Sequence, residues 1–239
     1  MMISKLELLK GDKYKINDNI VINHPTLGEI EQFGEKQYWS IVSTLTASSY
    51  DFRFQLDDMG YDYDEIDDYT VFCGFAPTLS IDETGIFFGN LDFQKFTLQA
   101  DDNGDVLLVN CDGIKIDKII YELIVDYLRG IHHLKRNYKI AGNQRARHFF
   151  LVEERKKLED KMKQEKNNEQ TILGDTISAL VNCNDFKYDY SSIWNLKIYS
   201  FMDSISRVQK NINYNNLMTG IYTGNIDSSK IPNSQMNWI

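Results

Sequence analysis

The four histidines are the first residues to test for catalytic or metal-binding chemistry, because imidazole serves both roles near neutral pH. His132 and His133 are adjacent, and neighbouring side chains on a helix point about 100° apart, which prevents them from sharing one metal ion. His24 and His148 stand alone, and no HExxH spacing occurs in the chain. The sequence therefore predicts packing or surface histidines and no metal site.

The three cysteines make no stronger case for chemistry. Cys73, Cys111 and Cys183 are odd in number and widely spaced, whereas a disulfide scaffold or a zinc site needs more thiols at closer spacing. The chain also lacks the GxSxG, Walker A and GxGxxG patterns of nucleophile elbows, P-loops and dinucleotide sites. We therefore predict reduced thiols, no cofactor and no catalytic residue.

A dense run of acidic residues and tyrosines occupies positions 57–69. A calcium-binding EF-hand loop needs ligands at its positions 1, 3 and 5, glycine at 6 and glutamate at 12. Started at Asp58 or Asp62, the run places its glycine wrongly and lacks the closing glutamate. The carboxylates from Asp64 to Asp67 suit the start of a helix. We predict an acidic interaction surface made of Asp57, Asp58, Asp62, Asp64, Glu65, Asp67 and Asp68.

A basic stretch with interleaved aromatic rings follows residue 128, and residues 129–150 contain no acidic residue. Such a patch can attract phosphate groups. Residues 1–128, however, hold 9 basic and 24 acidic side chains, against 12 and 5 in residues 129–166. In a chain of net charge −9, the basic stretch finds its nearest anions in the acidic run of the same chain or of another copy. We predict a basic interaction surface made of Arg129, Lys135, Arg136, Lys139, Arg145 and Arg147.

Turn and capping signals predict an α+β fold for the N-terminal half, with small antiparallel hairpins between helices. Residues 13–22 and 96–109 alternate around turns rich in Asn, Asp and Gly, which indicates two hairpins. Thr26 and Ser80 are each followed three residues later by glutamate, the pattern of a helix capping box.

The C-terminal half is predicted to be mainly α-helical. Residues 144–169 indicate a long polar helix. From residue 194 apolar side chains recur every three or four positions, which predicts one helix with an apolar seam, and the Asn-rich residues 211–216 are predicted to end it. We predict that this seam is a helical interface, made of Trp194, Ile198, Phe201, Ile205 and Val208.

The composition shifts to Lys, Glu, Gln and Asn in the middle of the chain. We therefore predict an α+β domain over residues 1–134, a basic and polar helical connector over 135–170, and a helical domain over 171–239. Charged residues interrupt the first apolar run, and no stretch reaches the roughly 18 apolar residues of a membrane span. We expect a cytoplasmic protein without a membrane partner.

Short patches along most of the chain carry a resemblance to a known group of proteins. The patches are residues 24–30 (HPTLGEI), 34–38 (GEKQY), 56–72 (beginning LDDMG), 88–93 (FGNLDF), 199–203 (YSFMD), 206–209 (SRVQ), 220–224 (GIYTG) and 237–238 (NW). In them the chain resembles proteins encoded in the tail-gene clusters of tailed phages of Firmicutes. The resemblance implies a tail-morphogenesis role, as a tail assembly chaperone or a minor virion component, and it carries over no catalytic residue. It also implies a location in the bacterial host cytoplasm during assembly, or in the virion tail.

Three functional hypotheses follow. The first is a non-enzymatic phage tail protein that contacts tube, tape-measure or baseplate proteins, or itself. The second is a nucleic-acid-associated protein that binds through residues 129–157, which the net negative charge disfavours. The third is an enzyme with an unrecognised site, for which a deep pocket with convergent polar groups would be the structural sign.

Overall fold

Helices and two small antiparallel sheets alternate along the chain in a computed structural model that describes residues 3–101, 104–165 and 172–236. The predicted α+β class is confirmed. The helices are α1 (Lys5–Lys10), α2 (Leu27–Phe33), α3 (Glu35–Thr46), α4 (Arg53–Asp58), α5 (Asp68–Phe75), α6 (Ile81–Phe88), α7 (Lys118–Ile131), α8 (Gln144–Glu165), α9 (Ile172–Val181) and α10 (Ile198–Tyr222). The strands are β1 (Tyr14–Lys15), β2 (Val21–Ile22), β3 (Thr97–Ala100), β4 (Val106–Val109) and β5 (Lys115–Ile116).

Both predicted hairpins are present. Strands β1 and β2 pair antiparallel, and the Asn17 side chain closes their turn by accepting the backbone N–H groups of Asn19 and Ile20 at 2.9 and 2.8 Å. Strands β3, β4 and β5 form an antiparallel sheet in that order. Residues 102 and 103 of the predicted second turn lie outside the described residues.

The two capping boxes form as predicted. The Thr26 hydroxyl accepts the Glu29 N–H at 3.1 Å, and the Glu29 carboxylate accepts the Thr26 N–H at 2.6 Å. Ser80 and Glu83 make the same reciprocal pair at the start of α6. Each box satisfies backbone N–H groups that a helix start leaves without partners, so these local signals could be read directly from sequence.

The acidic run starts its helix later than predicted. The N-cap of α5 is Asp67, whose carboxylate accepts the Thr70 N–H at 2.8 Å. Asp64 lies before the helix, because the Asp62 carboxylate accepts the Asp64 N–H at 3.0 Å and holds residues 62–66 in a turn. This turn also buries the Tyr63 side chain.

The main hydrophobic core joins both halves of the chain. Helices α2, α3, α5, α6 and α7 contribute about half of the buried side chains, and Leu173, Ile177 and Phe201 from α9 and α10 belong to the same cluster. A smaller cluster of Leu56, Tyr63 and Val71 contacts Leu151 of α8. The predicted division into three domains stays a prediction.

Helix α10 differs from its prediction at both ends of the seam. It begins at Ile198 rather than near Trp194, because residues 196 and 197 are extended. The Leu196 carbonyl accepts the Leu27 N–H, and the Ile198 N–H donates to the Pro25 carbonyl, each at 3.0 Å. The helix also continues through residues 211–216. The Asn211 side chain donates to Asp185 at 2.8 Å and so does not compete for the backbone of its own helix. None of the described helices combines the length and the apolar character that a bilayer span requires.

Candidate interaction surfaces

A buried arginine ties α8 to the rest of the molecule. Arg53, the first residue of α4, is fully buried, and its guanidinium donates to the Glu154 carboxylate of α8 at 2.7 Å. It also donates to the backbone carbonyl of Lys139. Three aromatic rings surround the cation, with centroids 5.1 to 5.7 Å from it: Tyr50, Phe150 and Tyr63. Because the cation is both paired and stacked, it can be buried where an isolated charge could not.

The predicted acidic and basic surfaces lie against each other within one chain, and Arg147 of α8 makes the clearest contact. Its guanidinium donates to the Asp62 carboxylate at 2.8 Å and to the Asp64 carboxylate at 3.2 Å, and it stacks on the Tyr63 ring at 4.2 Å. The hydrogen bond from Arg147 lowers the pKa of Asp62. The neighbouring Arg155 pairs with Asp58 at 2.5 Å.

A second contact between the two surfaces centres on Asp68, whose side chain is largely buried. It accepts two hydrogen bonds from the Arg136 guanidinium, one of them at 2.9 Å, and the backbone N–H of Ser49 at 3.1 Å. Arg129 lies 4.0 Å from the same carboxylate and donates to the Thr46 carbonyl at 2.6 Å. These bonds fix the segment after α7 against the start of α5.

The other members of the two surfaces are arranged differently. Asp67 caps α5 and pairs with Lys118 at 2.9 Å. The remaining members are also exposed, namely Asp57, Glu65, Lys135, Lys139 and Arg145. Whether either surface also binds a partner stays a prediction.

The predicted seam faces mainly inward. Ile198 and Phe201 are fully buried, and Ile205 and Val208 pack against the main core. Trp194 lies in a short 3₁₀ turn before α10 and is the exposed member of the five, with 39% of its surface accessible. The seam therefore supplies the core of the molecule, with Trp194 at its surface.

Trp194 lines an apolar groove of about 310 Å³ between α2, α9 and the start of α3. The Glu35 carboxylate at its end accepts the Leu173 N–H at 2.8 Å, which holds the start of α9 against α3. Among the residues that the structure describes, the charged ones that line the groove are both acidic. Its lining residues are Leu27, Ile30, Glu31, Glu35, Leu173, Gly174, Ile177 and Trp194.

A larger, polar cavity of about 590 Å³ lies beside His24, with Lys13, Lys197, Glu29 and Asp82 in its lining. The His24 ring is buried and both of its nitrogens are occupied: Nδ1 contacts the Tyr127 hydroxyl and Nε2 accepts the Tyr199 N–H, each at 3.3 Å. Burial lowers the pKa of His24 to about 4. The imidazole is therefore neutral and presents no free nitrogen to the cavity.

His132 is held in a similar way inside the core. Its Nδ1 donates to the Leu128 carbonyl at 2.6 Å, and its Nε2 accepts the Tyr38 hydroxyl at 2.5 Å. Burial lowers the pKa of His132 to about 4. Both residues were expected only as packing or surface histidines, and no sequence signal marked their hydrogen-bond networks. Within residues 3–101, 104–165 and 172–236, no group of three His, Cys, Asp or Glu side chains is arranged to hold a metal ion.

Comparison with known proteins bears on the C-terminal part of the chain. The family model described as YomV second domain matches residues 163–239. No curated protein and no solved structure matches the chain. The matched segment includes α9, α10 and the groove residue Trp194. The C-terminal third of the chain is thus similar to a domain of a Bacillus phage-type protein family, which is consistent with a phage protein.

Proposed function

We propose that this chain is a non-enzymatic phage protein that acts in tail assembly through protein–protein contacts. The observation that carries the proposal is the apolar groove at Trp194. The segment that matches the family model supplies Trp194, and the N-terminal part of the chain supplies Leu27 and Ile30. Aromatic side chains in apolar pockets are the commonest energetic centres of protein interfaces. A volume of about 310 Å³ is at the lower end for a small-molecule site and suits an anchoring side chain.

The charges of the groove indicate the chemistry of its partner. Glu31 and Glu35 are the charged residues among the described lining of the groove, so a complementary segment carries an apolar anchor next to lysine or arginine. We propose that such a segment belongs to a tail-tube, tape-measure or baseplate protein. Electrostatic complementarity of this kind sets partner choice and association rate more than affinity.

Co-expression tests this proposal. We expect one protein of the three tail classes to be captured by the wild-type chain, and Glu31→Lys to weaken capture by about tenfold, since it places a cation opposite the partner's cation. Glu122→Lys, an equal charge change at an exposed position of α7, is the matched control and should capture normally. Failure of the wild-type chain to capture any of the three classes would contradict the proposal.

Mass spectrometry of purified virions distinguishes the two possible roles, minor virion component and tail assembly chaperone. Presence of the chain in the particle supports a minor virion component. Its absence from the particle, with expression in the infected cell, supports a tail assembly chaperone.

Nucleic-acid binding through residues 129–157 is the second candidate, and the ion pairs disfavour it. Arg147 and Arg136 are already bonded to carboxylates, so a phosphate group would have to displace Asp62, Asp64 or Asp68. We expect no retardation of DNA or RNA by the chain at low salt. Binding that falls steeply with salt and is abolished by replacing Arg145 and Arg147 would support this candidate instead.

Catalysis at the polar cavity is the third candidate. His24 is the strongest candidate base in its lining, and its two nitrogens are engaged by Tyr127 and Tyr199. A general base needs a nitrogen within reach of the proton that it removes. The geometry of His24 therefore favours the structural role.

A further inference from the structure

Strand β3 forms one edge of the three-stranded sheet, and all four of its residues are exposed. Asp101 donates its N–H to the Asp105 carbonyl at 2.9 Å, so the hydrogen-bonded pairs with β4 are those of residues 97, 99 and 101. The backbone N–H and C=O groups of Leu98 and Ala100 consequently point away from β4. Within the described part of the chain, no hydrogen bond uses these four groups.

This edge is short, at four residues, but its sequence lacks the other features by which proteins protect exposed strands. Edge strands are commonly blunted by lysine, proline, a bulge or a covering segment. The sequence of β3 is Thr-Leu-Gln-Ala, without charge or proline. Leu98 is 58% exposed, although Leu108, its partner on β4, is fully buried on the same face of the sheet. An apolar side chain thus lies beside unpaired backbone groups.

We propose that β3 pairs antiparallel with β3 of a second copy of this chain, about a two-fold axis at Gln99. In this register Leu98 of each copy exchanges N–H···O=C bonds with Ala100 of the other, so all four outward groups are used. The Phe96 N–H already donates to the Phe93 carbonyl at 3.0 Å. A register that moved the axis toward Phe96 would therefore leave outward groups unpaired.

Charges at the two ends of β3 favour a second copy in this orientation. The exposed Lys95 precedes the strand and makes a long ion pair of 3.8 Å with Asp92, whereas Asp101 and Asp105 follow at the turn. Antiparallel pairing sets Lys95 of each copy near the acidic turn of the other. Parallel pairing would align like charges, which is destabilising across strands.

Light scattering after size-exclusion chromatography tests the proposal. The wild-type chain, of 27.9 kDa, is expected to elute at twice that mass at high concentration and to dissociate on dilution. Leu98→Lys should give a monomer, because the substituted lysines of the two copies would lie close to each other beside the two-fold axis and repel. Leu6→Lys, at a 77% exposed position of α1, is the matched control and should stay dimeric. A wild-type chain that is monomeric at every concentration, or a dimer that Leu98→Lys leaves intact, would overturn the proposal.

A cross-linking variant tests the register independently of Leu98→Lys. Gln99 of the two copies would form a non-hydrogen-bonded pair with Cα atoms about 4.5 Å apart, within disulfide range. Gln99→Cys, made with Cys111→Ser and Cys183→Ser, should give a disulfide-linked dimer on oxidation with diamide. The same background carrying Leu6→Cys should remain monomeric on a non-reducing gel. Equal cross-linking of both variants, or of neither, would contradict the pairing at β3.

Discussion

Replacing Arg53 with methionine is expected to lower the free energy of unfolding by about 3 kcal/mol, because it leaves the partners of this buried cation without a bond. The Lys139 carbonyl would lose its donor, and Glu154 would lose the charge that opposes its desolvation. Burial already raises the pKa of Glu154. The stacking of the guanidinium on three aromatic rings would be lost as well. Urea denaturation followed by circular dichroism measures the change.

The same substitution should loosen α8. Arg53 is bonded to α8 through Glu154, so limited proteolysis of Arg53→Met is expected to cut between residues 139 and 165 much faster than in the wild-type chain. Arg145→Met, at an exposed position of the same helix, is the control and should change neither stability nor cleavage by a comparable amount. If Arg53→Met unfolds at the wild-type urea concentration, the role assigned to this cation is wrong.

Acidification from pH 7 to pH 4.5 is expected to remove several kcal/mol of stability through the two buried histidines. His24 and His132 have a pKa of about 4 in the folded chain, against about 6.5 when unfolded. The unfolded chain therefore binds protons first as the pH falls. The contribution of the two neutral histidines to stability is complete above pH 6.5. It is lost progressively toward pH 4, by up to about 3 kcal/mol for each histidine. Urea midpoints measured at intervals across this range report the loss.

Variants can assign this pH dependence to a residue. His132→Leu removes one titrating group, so the slope of the unfolding free energy between pH 6 and pH 4.5 should be clearly smaller than that of the wild-type chain. The stability of the His132→Leu variant at pH 7 also falls, because the Tyr38 hydroxyl loses its acceptor. This loss is the same at every pH and does not change the slope. His148→Leu, at an exposed position, should keep the wild-type slope. A wild-type chain whose stability is constant from pH 6.5 to 4.5 would show that neither histidine is buried in the neutral form.

Local signals predicted the parts of the fold that local chemistry decides. The capping boxes at Thr26 and Ser80 need only residues three positions apart, and both form. The turn at Asn17 is also local, since one side chain closes it. The α+β class follows from such elements, because hairpins of two or three strands need helices to cover them.

Contacts between distant segments explain what the sequence did not predict. Trp194 was placed on the helix by its spacing, but the extended residues 196 and 197 pair with the segment of residues 25–27. No local sequence pattern predicts this pairing. The burial of Arg53 was missed because arginine is usually exposed. Its position within the aromatic run Tyr-Asp-Phe-Arg-Phe was the one available signal. The groove at Trp194 likewise exists only because α9 packs beside α2.

The central claim, that the chain works by holding a tail protein in the groove at Trp194, is tested most directly by titration calorimetry with the captured tail protein. Trp194→Ala is expected to bind at least about tenfold more weakly than the wild-type chain, since anchoring aromatic residues contribute about 2 kcal/mol or more. Circular dichroism of the variant must first show an unchanged fold. Equal affinity of a folded Trp194→Ala chain and the wild-type chain would contradict the claim.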